Sequence, residues 1–257
     1  MFYDIFRTEK PIIAMLHVFE GGKTAQLEQA MEDLDKLSPF VDGLIVENYG
    51  WGYENHNLAT REARKRIEEI TEKVIKSTSL PVGINLLPND YEGALCIAGS
   101  CGAKFVQLDH VTGNFLNCEP VNPEGFLKFR KLFPGIAVLG GIHPKYYILE
   151  NPLTPISDSA KKAKLLCDAI VVTGKHTGGE ASVNDIRRTK ETVLTHPVLV
   201  GSGLNVINAE MQLLFADGAI VGTAFKKGGV IPGEPIDDVL VRQLIAKVEK
   251  IRKEKGN

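Results

Sequence analysis

The histidines and carboxylates are the first residues whose types and positions suit chemistry. His17, His110 and His143 each close a short apolar run, His176 follows another run closely, and His56 lies in the polar stretch after Asn48. His196 alone precedes a run, so five of the six histidines gather on the trailing side of the apolar segments. In Gly43-Leu44-Ile45-Val46-Glu47-Asn48 an apolar stretch ends in a carboxylate and an amide, and in Phe105-Val106-Gln107-Leu108-Asp109-His110 strand alternation sets Gln107 and Asp109 on one face. A carboxylate brought in on a buried strand is costly unless it is paired, metal-bound or used. Glu47 and Asp109 are therefore the leading general acid/base candidates, with His17 and His143 assisting. The competing reading is a structural ion pair with a nearby Lys or Arg. Asn85 and Thr173 end further runs and supply neutral hydrogen bonds to substrate hydroxyls.

A second pattern suits an anion. Gly201-Ser202-Gly203 and Gly222-Thr223 both follow apolar runs, and Lys226 comes shortly after the second. Glycine lets backbone N–H groups approach a phosphate, so Gly201, Ser202, Gly203, Gly222, Thr223 and Lys226 read as a phosphate cradle. The alternative is that the glycines only permit tight turns. The stretch Thr173 to Gly179, with His176 in it, reads as a partly cationic lid on the same side. A metal shared by His17, Glu47, Asp109 and His143 is the rival use of these groups. That set has no diagnostic ligand spacing, so no metal and no cofactor is assigned. The loop Tyr49-Gly50-Trp51-Gly52-Tyr53 is suited to capping a planar or sugar ring, or to an oligomer contact.

Eight runs rich in Val and Ile must position these residues: Pro11–His17, Val41–Asn48, Pro81–Leu87, Lys104–His110, Ile136–His143, Asp168–Gly174, Pro197–Gly203 and Gly218–Phe225. Such runs mark strands buried on both faces of a parallel sheet. Helical periodicity fills the intervals: Leu27, Ala30, Met31 and Leu34 share one face, as do Ala63, Ile67, Ile70 and Val74. Thr60 is placed to cap the second of these helices, and Pro235 suits the first turn of the last one. Shorter helices are predicted near Tyr91–Ser100, Pro123–Leu132, Ser157–Cys167, Val183–Val193 and Val206–Phe215. Over 257 residues this gives about 32 residues per strand–helix unit, the scale of a TIM (β/α)8 barrel in a single domain, residues 1–257. An open doubly wound sheet is the runner-up. The strand-to-helix links are the long ones, so the elaborated face is the one a barrel uses for function.

Composition bounds the partners. With 30 Lys+Arg against 32 Asp+Glu and a net charge of −2, there is no basic excess to drive nucleic-acid binding. No apolar run approaches the ~20 residues of a membrane span. Asp4, Arg7, Glu9 and Lys10 stand where a signal peptide needs apolar residues, so the reading is cytoplasmic. The four cysteines form no C-x-x-C pair and read as reduced and mostly buried. The implied partner is a small phosphorylated metabolite, and a homo-oligomer is the base expectation.

Several segments carry a resemblance: Lys10–His17, Asp42–Tyr49, Pro81–Asp90, Asp168–Gly174, Pro197–Gly203 and Ala216–Thr223 resemble, in order, the BtpA/SgcQ family. The resemblance implies a (β/α)8 barrel. It implies matching site positions at His17, Glu47, Asn48, Asn85, Asn89, Asp90, Thr173, Gly201, Ser202, Gly203 and Thr223, which adds Asn48 and Asp90 to the substrate-binding candidates. Two activities are associated with it, a role in photosystem I biogenesis and a nucleosidase-like role beside sugar metabolism. This sequence departs from the family pattern in strand five, where glycine stands at an acidic position in Gly141-Ile142-His143-Pro144-Lys145-Tyr146, and in strand four, where Gln107-Leu108-Asp109 stands for R-V-N. Either the carboxylate has moved from strand five to strand four or the subgroups differ in substrate. The expected function is an enzyme on a phosphorylated sugar or nucleoside-like metabolite, with N-ribosyl hydrolysis favoured. The alternatives are a non-catalytic biogenesis factor and a metal-dependent lyase or isomerase.

Overall fold

The Val- and Ile-rich runs form eight short parallel strands: β1 (Ile12–Val18), β2 (Gly43–Asn48), β3 (Val82–Asn85), β4 (Phe105–Leu108), β5 (Ala137–Ile142), β6 (Ala169–Val172), β7 (Val198–Val200) and β8 (Gly218–Val221). Each pairs with the next, and β8 returns to β1 through Ile12 opposite Ala219, closing a barrel. This computed structural model describes residues 1–53, 58–229 and 234–255, so His56 lies outside the described residues.

The helices are α1 (Phe2–Ile5), α2 (Lys23–Leu37), α3 (Arg61–Ser77), α4 (Tyr91–Cys101), α5 (Pro123–Arg130), α6 (Ile156–Ala163), α7 (Val183–Val193), α8 (Ala209–Leu213) and α9 (Asp238–Lys255). Their starts follow capping chemistry: Thr60, Asp90, Asn122 and Ser182 each accept a hydrogen bond from the backbone N–H three residues on. Three helices differ from expectation, the first being α6, which ends at Ala163 rather than Cys167. The α8 helix is shorter than Val206–Phe215 because Asn205 accepts from the Ile207 and Asn208 N–H groups, holding that stretch in a turn. The α9 helix starts at Asp238, leaving Pro235 before it rather than in its first turn.

Alternation along the strands divides the core in two. Ile12, Ala14, Leu44, Val46, Val106 and Val138 face the helices. Ile13, Met15, Ile45, Phe105, Leu139, Val171, Leu199 and Ile220 fill the barrel interior. The short α1, which sequence reasoning passed over, stoppers the N-terminal opening: Phe2 and Phe6 are buried there, with the Phe6 ring 5.4 Å from Phe105. Of the four free cysteines only Cys167 is buried, and Cys96 is exposed, which corrects the expectation that most are buried. Among the described residues no helix is long and apolar enough to cross a membrane.

Candidate active site

The alternation that builds the core also decides which candidate residues meet. Inward positions continue from Met15 to His17 on β1 and from Ile45 to Glu47 on β2. The register sets His17 beside Glu47, Glu47 beside Asn85, and Asn85 beside Gln107. Asp109, two residues past Gln107, completes this layer. All five line a cavity of about 120 Å³ at the C-terminal end of the barrel, together with Lys145, Thr173 and the glycine turns after β7 and β8.

The two carboxyls share one amide. Asn85 Nδ2 lies 2.6 Å from Glu47 Oε2 and 3.4 Å from Asp109 Oδ1. Burial pushes Glu47 up to about 8, reinforced by the nearby negative charge of Asp109 and opposed by Lys145 and the Asn85 hydrogen bond. Burial raises Asp109 as well, against Lys145 and hydrogen bonds from Asn85 and Tyr147. Asp109 is the more open of the two, whereas Glu47 is buried and feels the charge of Asp109, so of the pair Glu47 holds a proton the more firmly. His17 Nε2 is 3.6 Å from Glu47 Oε1, but burial, with Lys226 and Lys145, drives its pKa down to about 3. The contact is thus a carboxylic acid facing a neutral imidazole, not an ion pair.

Four buried polar atoms on cavity-lining residues have no hydrogen-bond partner among the described residues: His17 Nδ1, Asn85 Oδ1, Gln107 Oε1 and Thr173 Oγ1. Buried polar atoms are nearly always paired, and here four without partners line one small space, which makes them available to a ligand. Opposite them the wall is backbone. A Cβ at Gly222 would sit 2.7 Å from His17 Cε1, and Gly203 holds φ +72 with its Cα face against Glu180. The Ser202 hydroxyl accepts from Gly174 N–H and donates to Gly179 C=O, locking the β6–α7 loop to the end of β7.

The remaining candidates stand elsewhere, each for a visible reason. Asn48 falls on the outward phase of β2, where it accepts from Leu87 N–H and donates to the carbonyls of Trp51 and Leu87. Asp90 caps α4 and pairs with Arg64. His110, two residues past β4, is buried against Phe115 and Tyr147. His143 has φ +47, which turns it out of the strand alternation, and its Nε2 sits 2.9 Å from Ser159 Oγ on α6. His143 and His176 line an adjoining hollow rather than the central cavity. Lys226 is carried past the site by a 3-10 turn at Thr223–Phe225: its ammonium donates to Glu234 C=O and lies over the Phe19 ring. Trp51 does not cap the mouth, because its indole N–H donates to Val18 C=O.

Loops carry the other lining residues: Tyr49 and Thr177 fall in the two loops the sequence marks, whereas Lys145 and Tyr146 carry no site assignment there. Tyr146 OH donates to Thr177 Oγ1 at 3.0 Å and accepts from Thr177 N–H, and with Tyr49 these loop residues line the cavity. Tyr147 OH lies 3.3 Å from Asp109 Oδ2, and burial keeps this phenol protonated. Lys145 is the one Lys or Arg among the described residues lining the central cavity, and its sequence signal is the strand-five segment Gly141–Tyr146, which keeps the family pattern's His and Lys. Among the described residues, no three His, Cys, Asp or Glu side chains converge as a metal-holding group.

The profile of the BtpA family matches residues 8–250. The chain belongs to the BtpA family. Within it, an uncharacterized protein of Archaeoglobus fulgidus is 32% identical over 252 residues, spanning 89% of this chain and 96% of its own length. The photosystem I biogenesis protein BtpA of Synechocystis sp. is 28% identical over 259 residues, spanning 95% of this chain and 89% of its own. The sgc region protein SgcQ of Escherichia coli is 27% identical over 268 residues, spanning 97% and 98%. Both poles of the resemblance read from the sequence are therefore present among the relatives. Among solved structures, the N-(5'-phosphoribosyl)anthranilate isomerase of Pyrococcus furiosus superposes on this BtpA-family barrel with a TM-score of 0.60. It does so at 15% identity over 94% of this chain and 99% of that one, a likeness of fold.

Proposed function

We propose that the protein is an enzyme that hydrolyses the N-ribosyl bond of a small phosphorylated, nucleoside-like metabolite. The observation that carries this reading is the buried carboxyl pair of Glu47 and Asp109, both reached by Asn85 and both raised by burial. A protonated carboxyl beside an ionised one supplies acid and base at once. Asp109 takes a proton from water as the water oxygen bonds to the anomeric carbon. The electrons of the breaking C–N bond pass to the leaving nitrogen, which receives the proton of Glu47. The proton on Asp109 then returns to Glu47 and resets the pair. Asn85 Oδ1, Gln107 Oε1 and Thr173 Oγ1 are available to the ribose hydroxyls, and the turns at Gly201-Ser202-Gly203 and Gly222-Thr223 to the phosphate. In this reading Lys145 replaces Lys226 as the lysine beside the substrate, and His17 acts as a neutral hydrogen-bonding partner of Glu47.

The test is a thermal-shift screen of ribose 5-phosphate and nucleoside monophosphates, followed by assay of base release. The reading expects a Tm rise with ribose 5-phosphate, base release from at least one monophosphate, and a kcat about 100-fold lower or more in Glu47→Gln. No Tm rise and no base release across the panel would contradict it.

The name of the Synechocystis relative favours a second reading, a barrel that acts in assembly without catalysis. Unpaired polar atoms and a protonated acid in the cavity are costs that such a factor has no need to carry, which favours the enzyme. The proposal includes self-association: Ile207 and Met211, at and just before α8, are 93% and 59% exposed, and sedimentation measures the subunit number.

A further inference from the structure

Beside the central cavity, between the β5–α6 and β6–α7 loops, is a wider hollow of about 660 Å³. It shares Pro144, Lys145, Tyr146 and Thr173 with the central cavity, so the two are neighbours across one wall. The wall is the hydrogen bond between Tyr146 and Thr177, and the residues on the β5 side of it, His143 and Tyr146, both have positive φ. The charges differ on its two sides. The central cavity sets Glu47 and Asp109 against Lys145 alone. The hollow adds Lys175 and Arg188 to Lys145, together with the imidazoles of His143 and His176.

We propose that this hollow is a second subsite that receives a carboxylate-bearing leaving group of the substrate, gripped by Lys175 and Arg188. Among the described residues neither of these cations, nor Lys145, enters an ion pair. Of the two carboxylates that share the hollow, Glu180 accepts a hydrogen bond from Gln212, and Asp185 opens α7 with its charge toward His143. A guanidinium presents a planar fork that matches a carboxylate, and Arg188 is exposed and not fixed to another carboxyl. His176 Nδ1 lies 3.1 Å from Thr177 C=O and donates there. Thr173 stands at the junction with a buried, unpartnered hydroxyl, in reach of a molecule that spans both spaces. A negative group would be repelled beside Asp109, and the hollow is the adjoining space where cations outnumber carboxylates. The substrate then lies with its phosphate at the β7 and β8 turns, its ribose over the carboxyl pair, and its acidic aglycone past Lys145 in the hollow.

This subsite rests on the N-riboside reading above, and a matched pair of probes separates the two. Calorimetry measures ribose 5-phosphate, nicotinamide mononucleotide and nicotinic acid mononucleotide against the full chain and against Lys175→Ala/Arg188→Ala. The two mononucleotides differ in a carboxamide against a carboxylate. The subsite predicts that the acid binds about tenfold tighter than the amide. It predicts that the double variant loses that preference while ribose 5-phosphate binds unchanged. Equal binding of acid and amide while ribose 5-phosphate still binds overturns the subsite alone, as does an equal loss for all three ligands in the variant. Binding by none of the three overturns the N-riboside reading, and the subsite with it.

Discussion

Carboxylates stand at both ends of this barrel, and they are treated in opposite ways. At the N-terminal end Asp42, Asp168 and Asp217 each precede or open a strand, accept the backbone N–H of a residue on the preceding strand or just before it, and pair with a cation. The pairs are Ile12 and Arg252 for Asp42, Val138 and Arg130 for Asp168, Val198 and Lys190 for Asp217. At the C-terminal end Glu47 and Asp109 have no Lys or Arg within ion-pair distance among the described residues; they share an amide and keep a proton. A structural ion pair, the competing explanation for a strand-end carboxylate, holds at the bottom of the barrel and for Asp90 with Arg64 at the top, and fails for Glu47 and Asp109. Charge satisfied three times over in one place makes charge left unsatisfied in the other a property of the site.

Substitutions at the two ends should therefore fail in different assays. The largest effect expected is on turnover: Glu47→Gln and Asp109→Asn lower kcat by about 10²–10⁴, with the circular-dichroism spectrum unchanged. At the other end Asp168→Asn leaves kcat within about twofold but lowers stability by about 1–3 kcal/mol, because Val138 N–H and Arg130 lose a charged partner. Differential scanning calorimetry would record this as a Tm about 5 °C lower. If Asp168→Asn abolished turnover at an unchanged Tm, the division between the ends would be wrong.

The pH dependence of stability sharpens the same contrast. Glu47 is raised from the ordinary carboxylate range to about 8, so the folded chain binds its proton more tightly than the unfolded one. Its contribution is fully present below the ordinary carboxylate pKa and is lost as pH rises toward 8. Urea titrations of native protein and Glu47→Gln at pH 5 and pH 8.5 should show the variant gaining relative stability at the higher pH. A constant difference would mean that Glu47 titrates normally in the fold. The smallest effect belongs to Lys226: Lys226→Met leaves the Kd for ribose 5-phosphate within about twofold, since its ammonium is spent on Glu234 C=O and Phe19. A tenfold loss would return Lys226 to the phosphate.

The barrel was legible because a strand buried on both faces leaves an unbroken Val- and Ile-rich run, and eight such runs alternate with helical stripes. Alternation also made Glu47, Asn85 and Asp109 legible as inward-facing. The same rule, applied one residue further, sends His110 outward and also Asn48, which the family resemblance suggests for substrate binding. What alternation cannot reach is backbone that leaves the strand. His143 at positive φ and Lys226 after a 3-10 turn both lie past their strand ends, where one dihedral redirects a side chain. Lys145, Tyr146 and Thr177 entered the site by the same route. The α1 stopper was hidden because four residues give no helical period, and only the packing of Phe2 and Phe6 under the barrel reveals it.

If the mouth of the barrel stores a proton on Glu47 at neutral pH, one carboxyl must titrate well above the others. Side-chain carboxyl ¹³C shifts followed from pH 4 to 10, in native protein and Glu47→Gln, measure this directly. The account predicts one carboxyl with a midpoint near 8 in the native protein that is missing from the variant. It is contradicted if every carboxyl in the native protein has titrated by pH 6.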